Sequence, residues 1–150
     1  MKAMEDLKLS KNFRLSEVTR SNKAISLGID NSVPESLMDN LQWFVSMVLQ
    51  PIRSKVGLPI KVTSWYRCPE LNKAVGGAVT SAHLSAMAID FTFAGKTAQQ
   101  SFDLALVALK DLRIQFDQLI IEKNTKTGAN WVHLGVKRNG NRNQTIKIEL

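Results

Sequence analysis

The chain has one cysteine and two histidines in 150 residues, and no uninterrupted apolar run of membrane-spanning length. With Cys68 alone, an intrachain disulfide and a cysteine-based zinc framework are both excluded, so any metal must be held by imidazole and carboxylate. The missing apolar run excludes a spanning helix, and no membrane insertion is expected. Acidic residues are in deficit, 13 against 20 Lys and Arg, a net charge of +7 that favours polyanionic partners: nucleic acid, an anionic lipid surface or an acidic polymer. There is no Gly/Ser-rich or Pro-rich tract and no fixed-period repeat. With 44% hydrophobic residues the chain can build one real core, so residues 1–150 are expected to form a single domain, with 1–30 an amino-terminal arm packing on it. The opening MKAMEDLKLSKNFRLSEV is broken by charges and lacks the apolar centre of a signal peptide, so synthesis in the cytoplasm without an export address is expected.

Periodicity outlines the elements. LSEVTRSNKAISLG suggests a short helix from Ser16 to Gly28. Ser32-Val-Pro-Glu35 has the form of a capping box, introducing a stripe of Leu37, Leu41, Phe44, Val45, Val48, Leu49 and Ile52. A helix over 34–55 follows, with a kink at Pro51 and an end at Gly57. LPIKVTSW reads as a strand leading into Tyr66-Arg67-Cys68-Pro69, and ELNKAV as a short helix stopped by Gly76-Gly77. MAIDFTF alternates, placing Met87, Ile89, Phe91 and Phe93 on one face and Ala88, Asp90 and Thr92 on the other. A second amphipathic helix is expected over 97–112, with Phe102, Ala105, Leu106 and Leu109 inward. Three strands follow, FDQLIIE, WVHLGVK and TIKIEL, joined by Asn/Gly-rich stretches of hairpin type. The mixture lacks a βαβ rhythm and predicts an α+β domain with a small antiparallel sheet flanked by helices.

Both histidines and one open-face carboxylate thus fall beside β structure. His/His/carboxylate is a recurring donor set for catalytic zinc, leaving a fourth position for water. Neutral imidazoles suit the cation, and one carboxylate leaves it a net positive charge that lowers the pKa of bound water towards roughly 7. Ser81-x-His83, Asp90 seven residues on, and the later Trp131-Val132-His133 resemble the zinc peptidases that cut bacterial peptidoglycan peptides: D-Ala-D-Ala carboxypeptidases, D-Ala-D-Ala dipeptidases and phage L-alanyl-D-glutamate endolysins. SWYRCPELNKAVGGAVTSAH is similar to the family's strand, Leu-Asn, Gly-Gly and Ser-x-His pattern. FDQLIIE before WVH resembles its closing hairpin, and NFRLSEVTRSNKAISLGIDN the amino-terminal segment of a phage and prophage subgroup.

The resemblance implies the D-Ala-D-Ala carboxypeptidase fold and one Zn2+ held by His83, Asp90 and His133. It implies that Arg67 faces the substrate, where its guanidinium either clamps a carboxylate or steadies a developing oxyanion, and that Ser81 lines the site; Trp131 is either core or a wall of the substrate cleft. Two departures stand out. Ala86 replaces the family's usual glycine, and Asn130 occupies the place, three residues before the last histidine, where relatives carry the general base. Asparagine cannot take a proton from water, so another carboxylate must serve. Glu122 is the first candidate, provided the hairpin register puts it on the face of His133; Asp117 is the second. The implied function is hydrolysis of an amide bond in peptidoglycan stem peptides by a monomeric, endolysin-like enzyme, an endopeptidase or a D,D- or L,D-carboxypeptidase, that reaches the wall through holin-type release or as a virion component. The alternative is a catalytically silent zinc module that binds the wall or plays a structural part. No DNA-reading motif accompanies the basic charge, so no specific nucleic-acid partner is expected. Lys137, Arg138 and Arg142 are either solvated loop residues or an attraction for anionic wall polymers, and Cys68 has no free base beside it for nucleophilic chemistry.

Overall fold

The computed structural model describes residues 6–149. Residues 1–5 of the expected arm, and Leu150 at the end of the expected strand TIKIEL, lie outside the described residues. The amino-terminal segment opens with a two-stranded antiparallel ribbon, β1 (Lys8–Ser10) and β2 (Phe13–Arg14). Two short helices follow, α1 (Leu15–Thr19) and α2 (Asn22–Leu27), where the sequence suggested one. The break falls at Ser21, whose hydroxyl accepts the Ala24 N–H at 3.1 Å and so starts a new helix. Gly28, at φ 65, closes it in the left-handed conformation that glycine tolerates. Leu9, Phe13 and Val18 from this segment are buried in the main core.

The long helical run begins later than the capping-box reading required. The Ser32 hydroxyl donates to Asp30 at 2.6 Å, because that carboxylate is the nearer partner, and the first turn is a 3-10 turn at Glu35–Leu37 behind an extended Pro34. The run continues as α3 (Met38–Phe44), a π-helical turn (Val45–Leu49) and α4 (Gln50–Val56). Pro51 has no N–H and its ring would crowd the carbonyl four residues back. The wider π turn just before α4 accommodates that mismatch. Leu41, Phe44, Val45, Val48, Leu49 and Ile52 are all buried, each such side chain being worth about 1.5–3 kcal/mol.

The sheet contains β3 (Ile60–Ser64), β4 (Ala88–Phe93), β5 (Gln118–Lys123), β6 (Asn130–Gly135) and β7 (Gln144–Glu149), in the order β3-β4-β6-β5-β7. It is mixed, not antiparallel throughout, since β7 runs parallel to β5. The expected β6–β7 hairpin does not form because β4 occupies the second edge of β6. The chain must therefore cross to the free edge of β5, where a strand following β6 runs parallel. The return is pinned by Arg142 on Asp117 and by Asn143, at φ 52, whose side chain accepts the Phe116 N–H at 3.1 Å.

Between β3 and β4 lie α5 (Pro69–Ala74) and a 3-10 turn, Ala82–Ser85. Between β4 and β5 runs α6 (Ala98–Asp111), with Thr97 and Gln100 forming a reciprocal capping box. Its buried line is Ala98, Ser101, Ala105, Ala108 and Leu109. Phe102 and Leu106 only flank it, because the Ser101 hydroxyl turns inward to accept the Phe93 N–H at 2.9 Å. Ile89, Phe91, Phe93, Leu119, Val132 and Leu134 face the core shared with the helices. By the two-residue alternation, Asp90, Ile120 and His133 face the other way, onto an open cleft.

Candidate active site

Strand pairing brings the first two groups together. Asp90 lies directly opposite His133 across the β4–β6 ladder, so both side chains rise from the same face. The His133 Nδ1 is 2.9 Å from Asp90 Oδ1. His83 arrives from the 3-10 turn, where the Ser81 hydroxyl accepts the His83 N–H at 3.2 Å. The turn ends at Ala86, left-handed at φ 62 and fully buried. That conformation explains why glycine suits the position, and the methyl group of alanine costs about 1–2 kcal/mol there. The chain then re-enters β4, and His83 Nε2 comes to 3.2 Å from Asp90 Oδ1, with the two imidazole rings 5.2 Å apart.

His83 Nδ1 lies 2.5 Å from the Trp65 carbonyl, an acceptor only, so it carries the proton and Nε2 of the neutral ring presents a lone pair. Nitrogens from both imidazoles converge on one oxygen of one carboxylate, and the donor atoms of His83, Asp90 and His133 all lie within 4.8 Å of one another. Converging lone pairs repel unless a proton or a cation sits among them. The donor set, its burial and the Trp65 carbonyl that orients His83 from behind fit a zinc ion. Burial alone would raise the Asp90 carboxyl, but whenever the facing imidazole nitrogens carry protons, hydrogen bonds from His133 and His83 and their positive charge outweigh it and hold the group below the usual carboxylate range.

Arg67 is built in from the loop after β3. Its Nε donates to the Ser64 hydroxyl at 3.1 Å, Nη1 to Asn72 Oδ1 at 3.1 Å, and Nη2 lies 3.4 Å from Asp90 Oδ2. The backbone is held too, since the Arg67 N–H donates to the His83 carbonyl at 3.2 Å. Asn72 is buried and ties its own amide to the Ala78 carbonyl at 2.9 Å. Gly77 closes over this pair: a Cβ there would fall 2.1 Å from Asn72 Oδ1 and 2.8 Å from Arg67 Nη1. Behind them, buried Asn31 donates to the carbonyls of Thr19 and Tyr66 and accepts the Cys68 N–H. It thereby fastens the amino-terminal segment to the arginine loop. Sequence reasoning missed the positioning roles of Asn31, Asn72 and Gly77, although Leu-Asn and Gly-Gly stood within the recognised pattern.

The hairpin register settles where the carboxylates point. Ile120 faces His133 and Glu122 faces Trp131, so Glu122 shares the face of the histidines. Burial, then the negative charge of Asp90, pushes the Glu122 carboxyl up, with His133 pulling the other way. Asn130 is exposed and three residues from His133, an odd offset that turns it to the opposite face beside Lys123 and Lys147. Asp117 is engaged elsewhere: the Arg142 guanidinium forks onto it at 3.0 and 2.8 Å, and these bonds hold its carboxyl below the ordinary value. Ser81 and Trp131 both line the cleft, which measures about 1000 Å3 and is also lined by Arg67, His83, Asp90, Glu122 and His133, with Asn130 outside it.

Two imidazoles and one carboxylate at the floor of an open cleft, with an ionisable carboxylate on the same sheet face, form the donor set and surroundings of a mononuclear metal hydrolase. A family model described as Peptidase M15 matches residues 11–134, and the chain belongs to that family of zinc-dependent peptidases. The match spans Arg67, His83, Asp90, Glu122 and His133. Comparison with curated proteins finds no match.

Proposed function

We propose that this chain is a zinc peptidase that hydrolyses an amide bond in peptidoglycan stem peptides, acting at the bacterial wall in the manner of a phage or prophage endolysin. The observation that carries the reading is the convergence of His83, Asp90 and His133 within 4.8 Å, on the same sheet face as Glu122. His83, Asp90 and His133 would hold the ion, which when bound supplies a Lewis acid and an acidified water. Glu122 accepts the proton of the attacking water on its carboxylate and returns it to the leaving amine, a task that its raised pKa suits. Arg67, with Asn72 and Ser64 holding its guanidinium in place, presents positive charge to the carbonyl oxygen as negative charge develops there. Trp131 walls the cleft beside Glu122 and limits water there. The wall substrate is supported by the motifs shared with peptidoglycan peptidases and by the net charge of +7, which suits an anionic polymer.

The test is mass spectrometry of purified peptidoglycan and synthetic stem peptides after incubation with zinc-loaded, chelator-treated and zinc-restored protein. New peptide termini that disappear with chelator and return with zinc are expected, and they identify the bond. Intact peptides from protein shown to hold zinc would favour the silent module instead.

A further inference from the structure

The cleft floor continues past the candidate metal centre. Along β5 it runs Glu122, Ile120, Gln118, and along β6 it runs Trp131, His133, Gly135. A Cβ at Gly135 would stand 3.3 Å from His133 Nε2 and 3.9 Å from the Ala82 Cβ, so glycine keeps this part of the floor open. Beyond it the cleft is bordered by Lys137 and Arg142. Both cations share one buried carboxylate: Arg142 forks onto Asp117 at 3.0 and 2.8 Å, and Lys137 Nζ lies 3.8 Å away. Their own side chains remain 54% and 55% exposed. Two cations against one anion leave a net positive charge at this end.

The pair is also held in place. Asn141 bridges the Lys137 backbone in both directions, accepting its N–H at 2.8 Å and donating to its carbonyl at 2.7 Å. Among the described residues, Arg142 Nη1 has no intramolecular partner, so the guanidinium keeps donors for a ligand. Asp117 lies just before β5, where strand alternation no longer fixes its side chain, lines the same cleft, and precedes by three residues the Ile120 that faces His133. The basic end therefore lies about 10 Å along the strand from the centre, within three residues of extended peptide.

We infer that Lys137 and Arg142 form a subsite for an anionic group of the substrate, receiving a carboxylate carried one to three residues from the bond that is cut. The inference rests on the stem-peptide reading above, since such peptides carry free carboxylates beside their linkages. Charge-assisted hydrogen bonds from a guanidinium and an ammonium favour a carboxylate over its neutral amide.

The test uses two synthetic stem peptides, identical except that one bears the free α-carboxylate of its D-glutamate and the other the carboxamide. Zinc-loaded Glu122→Gln protein, in which turnover is blocked, is titrated with each and followed by amide NMR shifts. The acid peptide is expected to bind about fivefold tighter, shifting the amides of residues 135–143, with the advantage shrinking at high salt. Lys137→Met, which leaves the Arg142–Asp117 pair intact, should remove at least half of that preference, and adding Arg142→Gln should abolish it. Equal affinity for the two peptides, a preference that survives both substitutions, or absence of binding by either overturns the subsite. Acid preference with no cleavage by the unmodified protein would leave the subsite standing and overturn the peptidase reading.

Discussion

Replacing Glu122 with glutamine keeps the shape of the cleft and removes one proton acceptor. Glu122 lies two residues along β5 from Ile120, which faces His133, a step of about 7 Å between backbone positions. A glutamate side chain can reach a water beside the metal from there without itself joining the ligand set, which comprises His83, Asp90 and His133. Zinc content should therefore stay at one ion per chain. Loss of a general base costs about 10²–10⁴-fold in rate, or about 2.7–5.5 kcal/mol of barrier. The assay is kcat on a defined stem peptide, with zinc stoichiometry measured on the same samples. The family's usual base position supplies a sharper control. Asn130 points away from the cleft, so Asn130→Asp added to Glu122→Gln should restore nothing. Full activity of the single variant, or rescue by the added Asn130→Asp in the double one, would refute the register argument and the role of Glu122 together.

Chelation should destabilise the protein as well as silence it. A ligand at a hundredfold excess over its Kd stabilises by about 2.7 kcal/mol, so calorimetry should show Tm lower by roughly 5–10 °C without zinc, and an unchanged Tm would argue that the three donors hold no ion. Gly77→Ala should displace Asn72 and Arg67, because its Cβ would lie 2.1 Å and 2.8 Å from their side-chain atoms. Activity is expected to fall at least tenfold with zinc retained, and stability by about 1–3 kcal/mol in denaturant titration; a fully active variant would show that the arginine need not be held there.

Much of the architecture follows from local pattern. The apolar stripe from Leu41 to Ile52 prescribes a helix, and alternation in MAIDFTF prescribes a strand with Asp90 off the core face. Both signals are carried by side-chain period alone. Local rules failed where a more distant partner competed. Ser32 bonds to Asp30 instead of capping the long helix, and β7 pairs with β5 because β4 already holds the edge of β6. The histidines and Asp90 were legible as a spaced set, but only the ladder decides that Asp90 stands opposite His133 and that a left-handed Ala86 returns His83 to them. The same dependence governs the carboxylates. From the sequence, Glu122, Asp117 and Asn130 differ only in chemistry and spacing. The register turns Glu122 into the cleft, alternation along β6 turns Asn130 away from the face of His133, and Arg142 takes Asp117. A one-residue slip of β5 against β6 would have turned Glu122 out of the cleft, and strand register is a property of pairing between segments distant along the chain.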